Sequence, residues 1–365
     1  MSVQTGGSKL RPSRHYSFLH KSFQEWFAAL YLCYRLIEKE ISPDQIVAET
    51  RFAGELGEVV LYTCGLLAAR WKEEARALTK CIMREVDTDY SDYSYDWLIV
   101  VLECVRECKQ DNSSFQADLA RELGSSLQLQ TLRRCDGDID DAEVVVLADV
   151  LKSNTTVTEL DLSSNIIGDA GAAGLAEALK SNTTLTELYL PCNIIGDAGA
   201  AGLAEALKSN TTLTELDLSK NFIGDADAAE PAEALKCNTT VTELDLSNNS
   251  LSDAGAAGLA EALKSNTTLT ELNMSDNQIG DAGAAGLTEA LKSNTTLTVL
   301  NMSDNQIGDA GAAGLAEALR SNTTLTELDL SRNLIGATGV AGLAEALTTN
   351  TTLRMSLSPQ VSDCS

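Results

Sequence analysis

The stretch "LTELDLSKN" at 213–221 returns, with small changes, at a fixed interval of 28 residues through the second half of the chain. Its copies "VTELDLSSN", "LTELYLPCN", "VTELDLSNN", "LTELNMSDN", "LTVLNMSDN" and "LTELDLSRN" end at Asn165, Asn193, Asn249, Asn277, Asn305 and Asn333. A degenerate copy precedes them, with Leu129, Leu132, Ile139, Leu147 and Leu151 in register and Gly137 in place of the asparagine. Eight units therefore fill 129–352. A unit of this length cannot bury its apolar face alone, so it must stack on its neighbours to make a continuous core. This part of the chain is a solenoid.

One unit can be read residue by residue. The leucines of "TELDLS" alternate, which predicts a short strand with leucine turned inward and the intervening residues turned outward. The terminal asparagine suits hydrogen bonding to backbone where the chain leaves the strand. "IGDAGAAGLAEALKSN" then predicts a helix, with Asp169 and its equivalents as N-caps. Leu175 and Leu179 share one face, and Ala176 and Ala178 allow neighbouring helices to approach. Glu177 and Lys180 form an outward i, i+3 pair, and Asn182 and its equivalents suit a left-handed helix end. "GDAGAAG" lacks the spacing of a dinucleotide loop and the Lys-Ser/Thr of a P-loop, and reads as tight strand-to-helix packing. "NTT" at Asn154, Asn182, Asn210, Asn238, Asn266, Asn294, Asn322 and Asn350 matches a glycosylation sequon, but with no apolar leader in "MSVQTGGSKL" it reads as a helix-ending turn. The pattern L-x-x-L-x-L-x-x-N followed by a full helix resembles ribonuclease-inhibitor-type leucine-rich repeats. That resemblance implies an α/β horseshoe with parallel strands inside and helices outside.

The net charge of −26 is concentrated in the repeats. Residues 1–134 hold 17 basic and 19 acidic side chains, whereas 135–365 hold 10 and 34. Such a surface repels nucleic acid and anionic membrane and favours basic protein partners, although the same charge also serves solubility. No apolar run reaches the ~20 residues of a membrane span. Nine scattered cysteines fit free thiols in a reducing, cytoplasmic compartment. Two histidines, His15 and His20, and cysteines without histidine partners give neither a metal site nor a nucleophile, and no enzyme chemistry is expected.

The front third lacks the period. Tyr16, Leu19, Phe23, Trp26, Phe27, Leu30, Tyr34 and Ile37 fall three or four apart and predict the buried stripe of one long helix, with His20, Lys21, Gln24 and Glu25 on the polar side. Further helices are expected over 44–50, 55–69, 71–84, 95–109 and 114–123. "YSFLHKSFQEWFAALYL" at 16–32 resembles the F-x-H-x-[ST]-F-Q-E-[FW]-x-A-A motif that ends the winged-helix segment of NOD-like (NACHT) receptors. Here it runs Phe18, His20, Ser22, Phe23, Gln24, Glu25, Trp26, Ala28 and Ala29, and "LYTCGLLA" at 61–68 resembles the helical domain that follows. The resemblance implies 1–38 as the end of a winged helix and 39–128 as a helical domain, while the repeat register gives 129–357 as the leucine-rich repeats and leaves 358–365 as a disordered tail. It also implies that His20 contacts the β-phosphate of ADP in a full-length receptor. These 365 residues contain no P-loop, so the sequence gives no cofactor, ADP or ATP, a site in this chain.

The expected function is a non-catalytic, protein-binding part of a NOD-like receptor in cytosolic innate-immune sensing or regulation. The alternatives are a stand-alone ribonuclease-inhibitor-like binder of a basic enzyme, or a fragment of a receptor whose nucleotide domain lies elsewhere. The candidate binding residues are the outward strand positions: Glu159 and Asp161, Glu187 and Tyr189, Glu215 and Asp217, Glu243 and Asp245, Glu271 and Asn273, Val299 and Asn301, Glu327 and Asp329. Two irregularities are also expected. Pro231 replaces a buried leucine and predicts a helix that starts near it, one turn short, leaving a shallow dent. "LSPQVSDCS" predicts a frayed C-terminal end, because the register calls for leucines at 353, 356 and 358 and finds Leu353, Ser356 and Ser358.

Overall fold

The computed structural model describes residues 21–50, 57–86, 97–108, 114–135, 139–225 and 229–358. The chain divides into two compact units, 1–120 and 121–365. The helices before the first strand are α1 (Lys21–Ile37), α2 (Pro43–Thr50), α3 (Gly57–Ala68), α4 (Lys72–Val86), α5 (Trp97–Glu107) and α6 (Phe115–Ser126). They fall where the apolar periodicity places them.

The orientation of α1 is different from the expected one. Trp26, Phe27, Leu30 and Tyr34 are exposed, whereas Ala29, Cys33 and Leu36 are buried together with Glu25. The helix packs on α3 with Ala29, Cys33 and Leu36 buried, and the bulky aromatic stripe is left outside. Periodicity locates a stripe but does not say which stripe docks. Next to it, cysteines from α1, α3 and α5 converge. Cys33 Sγ lies 3.7 Å from the Thr63 carbonyl, and Cys108 Sγ lies 3.9 Å from that of Cys64. Burial pushes the Cys33 thiol up to about 11 and raises Cys108 too, while a contact with Cys64 and then burial raise Cys104. Thiols held protonated in this way act as small core hydrophobes.

The repeat unit alternates strand and helix: β1 (Thr131–Arg133), α7 (Asp141–Leu151), β2 (Glu159–Asp161), α8 (Asp169–Leu179), β3 (Glu187–Tyr189), α9 (Asp197–Leu207), β4 (Glu215–Asp217), α10 (Ala229–Cys237), β5 (Glu243–Asp245), α11 (Asp253–Leu263), β6 (Glu271–Asn273), α12 (Asp281–Leu291), β7 (Val299–Asn301), α13 (Asp309–Leu319), β8 (Glu327–Asp329), α14 (Ala337–Thr349) and β9 (Arg354–Ser356). The strands form one parallel sheet in chain order, as expected for a leucine-rich-repeat horseshoe. Leu160, Leu188, Leu216 and Leu244 pair rung to rung and are buried, together with Leu162, Leu190 and Leu218.

Two ladders of polar side chains join the repeats. The buried asparagine row behaves as expected: Asn193 Oδ1 accepts from Ile167 N at 3.0 Å, and its Nδ2 donates to the Leu162 and Leu190 carbonyls at 3.0 and 3.1 Å. The residue before each of these asparagines takes the left-handed conformation, for instance Ser164 at φ 56° and Asn248 at φ 52°. The left-handed position therefore lies here and not at Asn182. Asn182 is buried instead, accepting from Thr184 N and Leu185 N and donating to the Leu151 carbonyl of the preceding repeat. An amide engaged in this way is closed to glycosylation in the folded chain.

The aspartates of "GDAG" supply the second ladder. Asp169 does not cap its own helix, whose N-cap is Gly168 without a side-chain bond. Its Oδ1 accepts from Gly196 N and Gly199 N, at 2.8 and 2.9 Å, at the start of the next helix. Asp141, Asp253, Asp281 and Asp309 do the same one repeat on, and Asp225 bonds Ser252 N and Gly255 N. Each carboxylate thus meets the partial positive charge of a neighbouring helix end. A Cβ at Gly199 would stand 2.8 Å from both Asp169 Oδ1 and Ile195 Cγ2, so glycine is required there by close approach. The packing that "GDAGAAG" serves is therefore between successive helix starts.

α10 is described from Ala229, and residues 226–228, on which the expected late helix start at Pro231 turns, lie outside the described residues. In sequence Pro231 holds the position of Leu203 and Leu259, and among the described residues an apolar cavity of about 60 Å³ is lined by Leu203, Leu207, Leu235 and Leu259. At the far end a ninth strand precedes the expected tail. β9 pairs with β8, with Met355 opposite Leu328, because a register one residue shorter brings methionine to the leucine position. Residues 359–365, where most of the expected tail falls, lie outside the described residues.

Candidate functional site: the outward rows of the strands

The rung-by-rung register places the predicted side chains in two rows. Glu159, Glu187, Glu215, Glu243, Glu271, Val299 and Glu327 follow one another in the first. Asp161, Tyr189, Asp217, Asp245, Asn273, Asn301 and Asp329 follow one another in the second. Neighbouring parallel strands lie ~4.8 Å apart, so like charges adjoin along each row. Over β4 to β7 the rows border an open cavity of about 260 Å³, lined by Glu215, Asp217, Glu243, Asp245 and Glu271 with Asn273, Val299 and Asn301.

The electrostatics separate the rungs. Glu159 is compensated: Arg133 Nη2 lies 2.6 Å from its Oε1, and Thr131 donates to its Oε2. Sequence reasoning missed Arg133 because the degenerate first repeat hides its register. Burial is the largest influence on Asp161, but bonds from Ser163 and Cys135 and the charge of Arg133 outweigh it and hold the carboxyl below its ordinary range. Further along, no such cation pairs with the rows from β3 to β6 among the described residues. Burial, aided by Asp245 and Asp161, raises Asp217 against the bonds from Ser219. Burial and then Glu215, Glu271 and Glu187 raise Glu243. Burial and a contact with Glu215 raise the Tyr189 phenol, whose hydroxyl also donates to Glu187 Oε2 at 3.1 Å. The rows from β3 to β6 are thus uncompensated negative charge beside a half-buried tyrosine.

The second row has a modest structural duty. Asp217 Oδ1 accepts from Ser219 N and Asp245 Oδ1 from Ser247 N, both at 2.8 Å. Asn273 and Asn301 make the same bond to Ser275 N and Ser303 N, so an amide serves that duty as well. The first row shows no such backbone bond at Glu215, Glu243 or Glu271 among the described contacts. Outside these rows, no cluster of His, Cys, Asp or Glu among the described residues is disposed to hold a metal ion. No helix among them is long and apolar enough to cross a membrane. His20, the residue matched to a nucleotide phosphate contact, lies outside the described residues.

Comparison with known proteins agrees with the repeat architecture. Residues 223–307 match the TMOD/LMOD leucine-rich domain, and residues 153–176, 181–204, 209–230 and 321–344 match leucine-rich repeats. The repeats of this chain are leucine-rich repeats, a protein-interaction module. A search of curated proteins returned no match. Among solved structures, the chain is similar to the leiomodin-1 actin-binding site 2, with 28% identity over 40% of this chain and 87% of that one, at a TM-score of 0.34. It is similar to a TDR receptor at 20% identity, over 66% of this chain and 36% of that one, TM-score 0.40. The tropomodulin C-terminal domain of Caenorhabditis elegans aligns at 17% identity over 42% of this chain and 91% of that one, TM-score 0.34.

Proposed function

We propose that this chain is a non-catalytic binding module whose acidic concave strands receive a basic segment of a protein partner. The observation that carries the reading is the uncompensated run from Glu187 to Glu271, where burial and mutual repulsion raise Asp217 and Glu243. Lysine or arginine side chains entering the cavity would relieve that repulsion, and the fold gains nothing from it. Charge needed only for solubility would be less costly on the outer helices, where Glu177, Glu261 and Glu289 already pair with lysines. Tyr189 and Val299 interrupt the rows and serve as anchors for apolar parts of the partner.

At a finer level, the module belongs to a NOD-like receptor and acts in cytosolic innate-immune sensing or regulation. Support for this comes from the motif at residues 18–29 and from helices preceding leucine-rich repeats. The test of the binding reading uses a lysine-rich peptide and the variant E215Q/D217N/E243Q/D245N at low and physiological ionic strength. The wild-type chain should bind more weakly as salt rises, and the variant should bind weakly with a flatter salt dependence. Equal binding and equal salt slopes would leave these carboxylates without a binding role.

A further inference from the structure

The residue that follows each repeat asparagine stands exposed where the chain leaves the sheet. In the first three full repeats it is Ile166, Ile194 and Phe222, which are 48%, 49% and 66% exposed. In the next three it is Ser250, Gln278 and Gln306, all exposed. The backbone does the same thing in both sets. Ile194 N and Phe222 N donate to the preceding repeat at 2.9 and 2.8 Å, and Ser250 N and Gln278 N do so at 2.8 Å. The fold is therefore indifferent to the side chain, and three adjacent large apolar groups are not required by packing. Leu334, further along, stands alone as scattered surface residues do. A contiguous apolar ridge bordered by charge marks an interaction site.

Its spacing points to the form of the partner. The shared backbone bond keeps successive ridge residues at strand separation, ~4.8 Å, so three of them cover about 10 Å. In an α-helix, residues i, i+3 or i+4, and i+7 form one stripe over about 10.5 Å. Ile166 follows Asp161 by five residues and Phe222 follows Asp217 likewise, a chain distance of at most ~18 Å. A helix roughly 10–12 Å across, with lysines on its flank, reaches from ridge to carboxylates.

We propose that the Ile166–Ile194–Phe222 ridge docks an amphipathic α-helix of a protein partner, lying along the solenoid with its apolar stripe on the ridge and its basic flank over the acidic rows. Charge complementarity selects this occupant, because an acidic helix in that place would set its charges against Glu187, Glu215 and Glu243. The proposal rests on the concave-face reading above and adds to it an apolar anchor and a helical form.

Two peptides of roughly 20 residues, long enough for helix formation, and of identical leucine and lysine content test it on the full chain. One carries leucine at i, i+3, i+4 and i+7, and the other alternates leucine and lysine. The wild-type chain should bind the helical pattern about tenfold or more tightly than its isomer. I166S/I194Q/F222Q should abolish that preference while keeping the weaker binding, and an unchanged thermal melt would show that it folds. In the opposite direction, S250I/Q278I/Q306F should lengthen the ridge and tighten binding of the helical pattern. Unchanged preference in the first variant overturns the ridge. The concave reading then stands or falls separately, by whether E215Q/D217N/E243Q/D245N weakens both peptides. Failure of the wild-type chain to bind either peptide overturns both.

Discussion

The aspartates that open the helices and the carboxylates that line the strands recur with the same 28-residue period, yet they meet opposite surroundings. Asp169 and Asp253 each accept two backbone N–H groups from the next helix start. Glu215 and Glu243 face other carboxylates across the sheet. Both sets are acidic, and both look equally ordered in the sequence. What separates them is the supply of donors: one set completes the backbone of its neighbour, and the other is left for something from outside. Periodicity therefore measures how regular a fold is, and hydrogen-bond partners decide which of its charges the fold consumes.

The contrast extends to neutral residues, where the largest single effect is expected. Asn193→Ala removes three bonds to buried backbone and leaves Ile167 N unmatched, while the Leu162 and Leu190 carbonyls keep Asn165 and Asn221 as donors, at a cost of about 3 kcal/mol in urea denaturation. Asn301→Ala, on an outward row, forfeits one bond to Ser303 N and should cost under about 1 kcal/mol. Similar losses would break the distinction.

Within the regular repeats, the irregular one offers a gain. Pro231→Leu restores the side chain found at Leu203 and Leu259, and filling a cavity of about 60 Å³ should raise stability by about 1–2 kcal/mol. A loss would mean that a leucine at 231 does not fill the cavity as Leu203 and Leu259 fill theirs. A smaller effect is expected at the end of the solenoid. In α14 only Gly339, Leu343 and Ala346 are buried, against six residues in α13. Its amides should exchange hydrogen faster than those of α12 and α13, and equal protection would contradict this.

The smallest effect is a pH dependence. Asp217 titrates above its ordinary range, so between the ordinary and the raised value the folded chain holds a proton that the unfolded chain has released. Stability contributed there falls as pH rises through that window. Asp217→Asn should be more stable than wild type above the window and equal below it, by less than about 1 kcal/mol given partial exposure. Asp161, held low, has the opposite sign: its contribution is present above the ordinary value and lost as pH falls through the lowered one.

The repeats were legible because seven copies average out local accidents. Strand register, helix positions and the asparagine row all follow from alternation and period. The role of Asp169 did not, because an N-cap rule looks along one helix, whereas this carboxylate reaches across to the next. Nor did Arg133, which neutralises Glu159 from a repeat with a degraded pattern. The helical unit exists in a single copy, and its reading failed at α1, where Ala29, Cys33 and Leu36 are buried and Trp26, Phe27 and Tyr34 remain outside. The thiols of Cys33, Cys64, Cys104 and Cys108 come from three helices, and no sequence spacing announces their meeting.

The division between consumed and free charge can be measured with two variants of equal charge change. One is D169N/D253N/D281N/D309N, at the helix starts, and the other is E215Q/D217N/E243Q/D245N, on the strands. Chemical denaturation of each against the wild-type chain should show a loss of roughly 4 kcal/mol for the first, at about 1 kcal/mol for each charge taken from a helix end. The second should be unchanged or slightly stabilised, as like-charge repulsion is relieved. Equal losses in the two variants would contradict the account, since the strand carboxylates would then be as much a part of the fold as the helix aspartates.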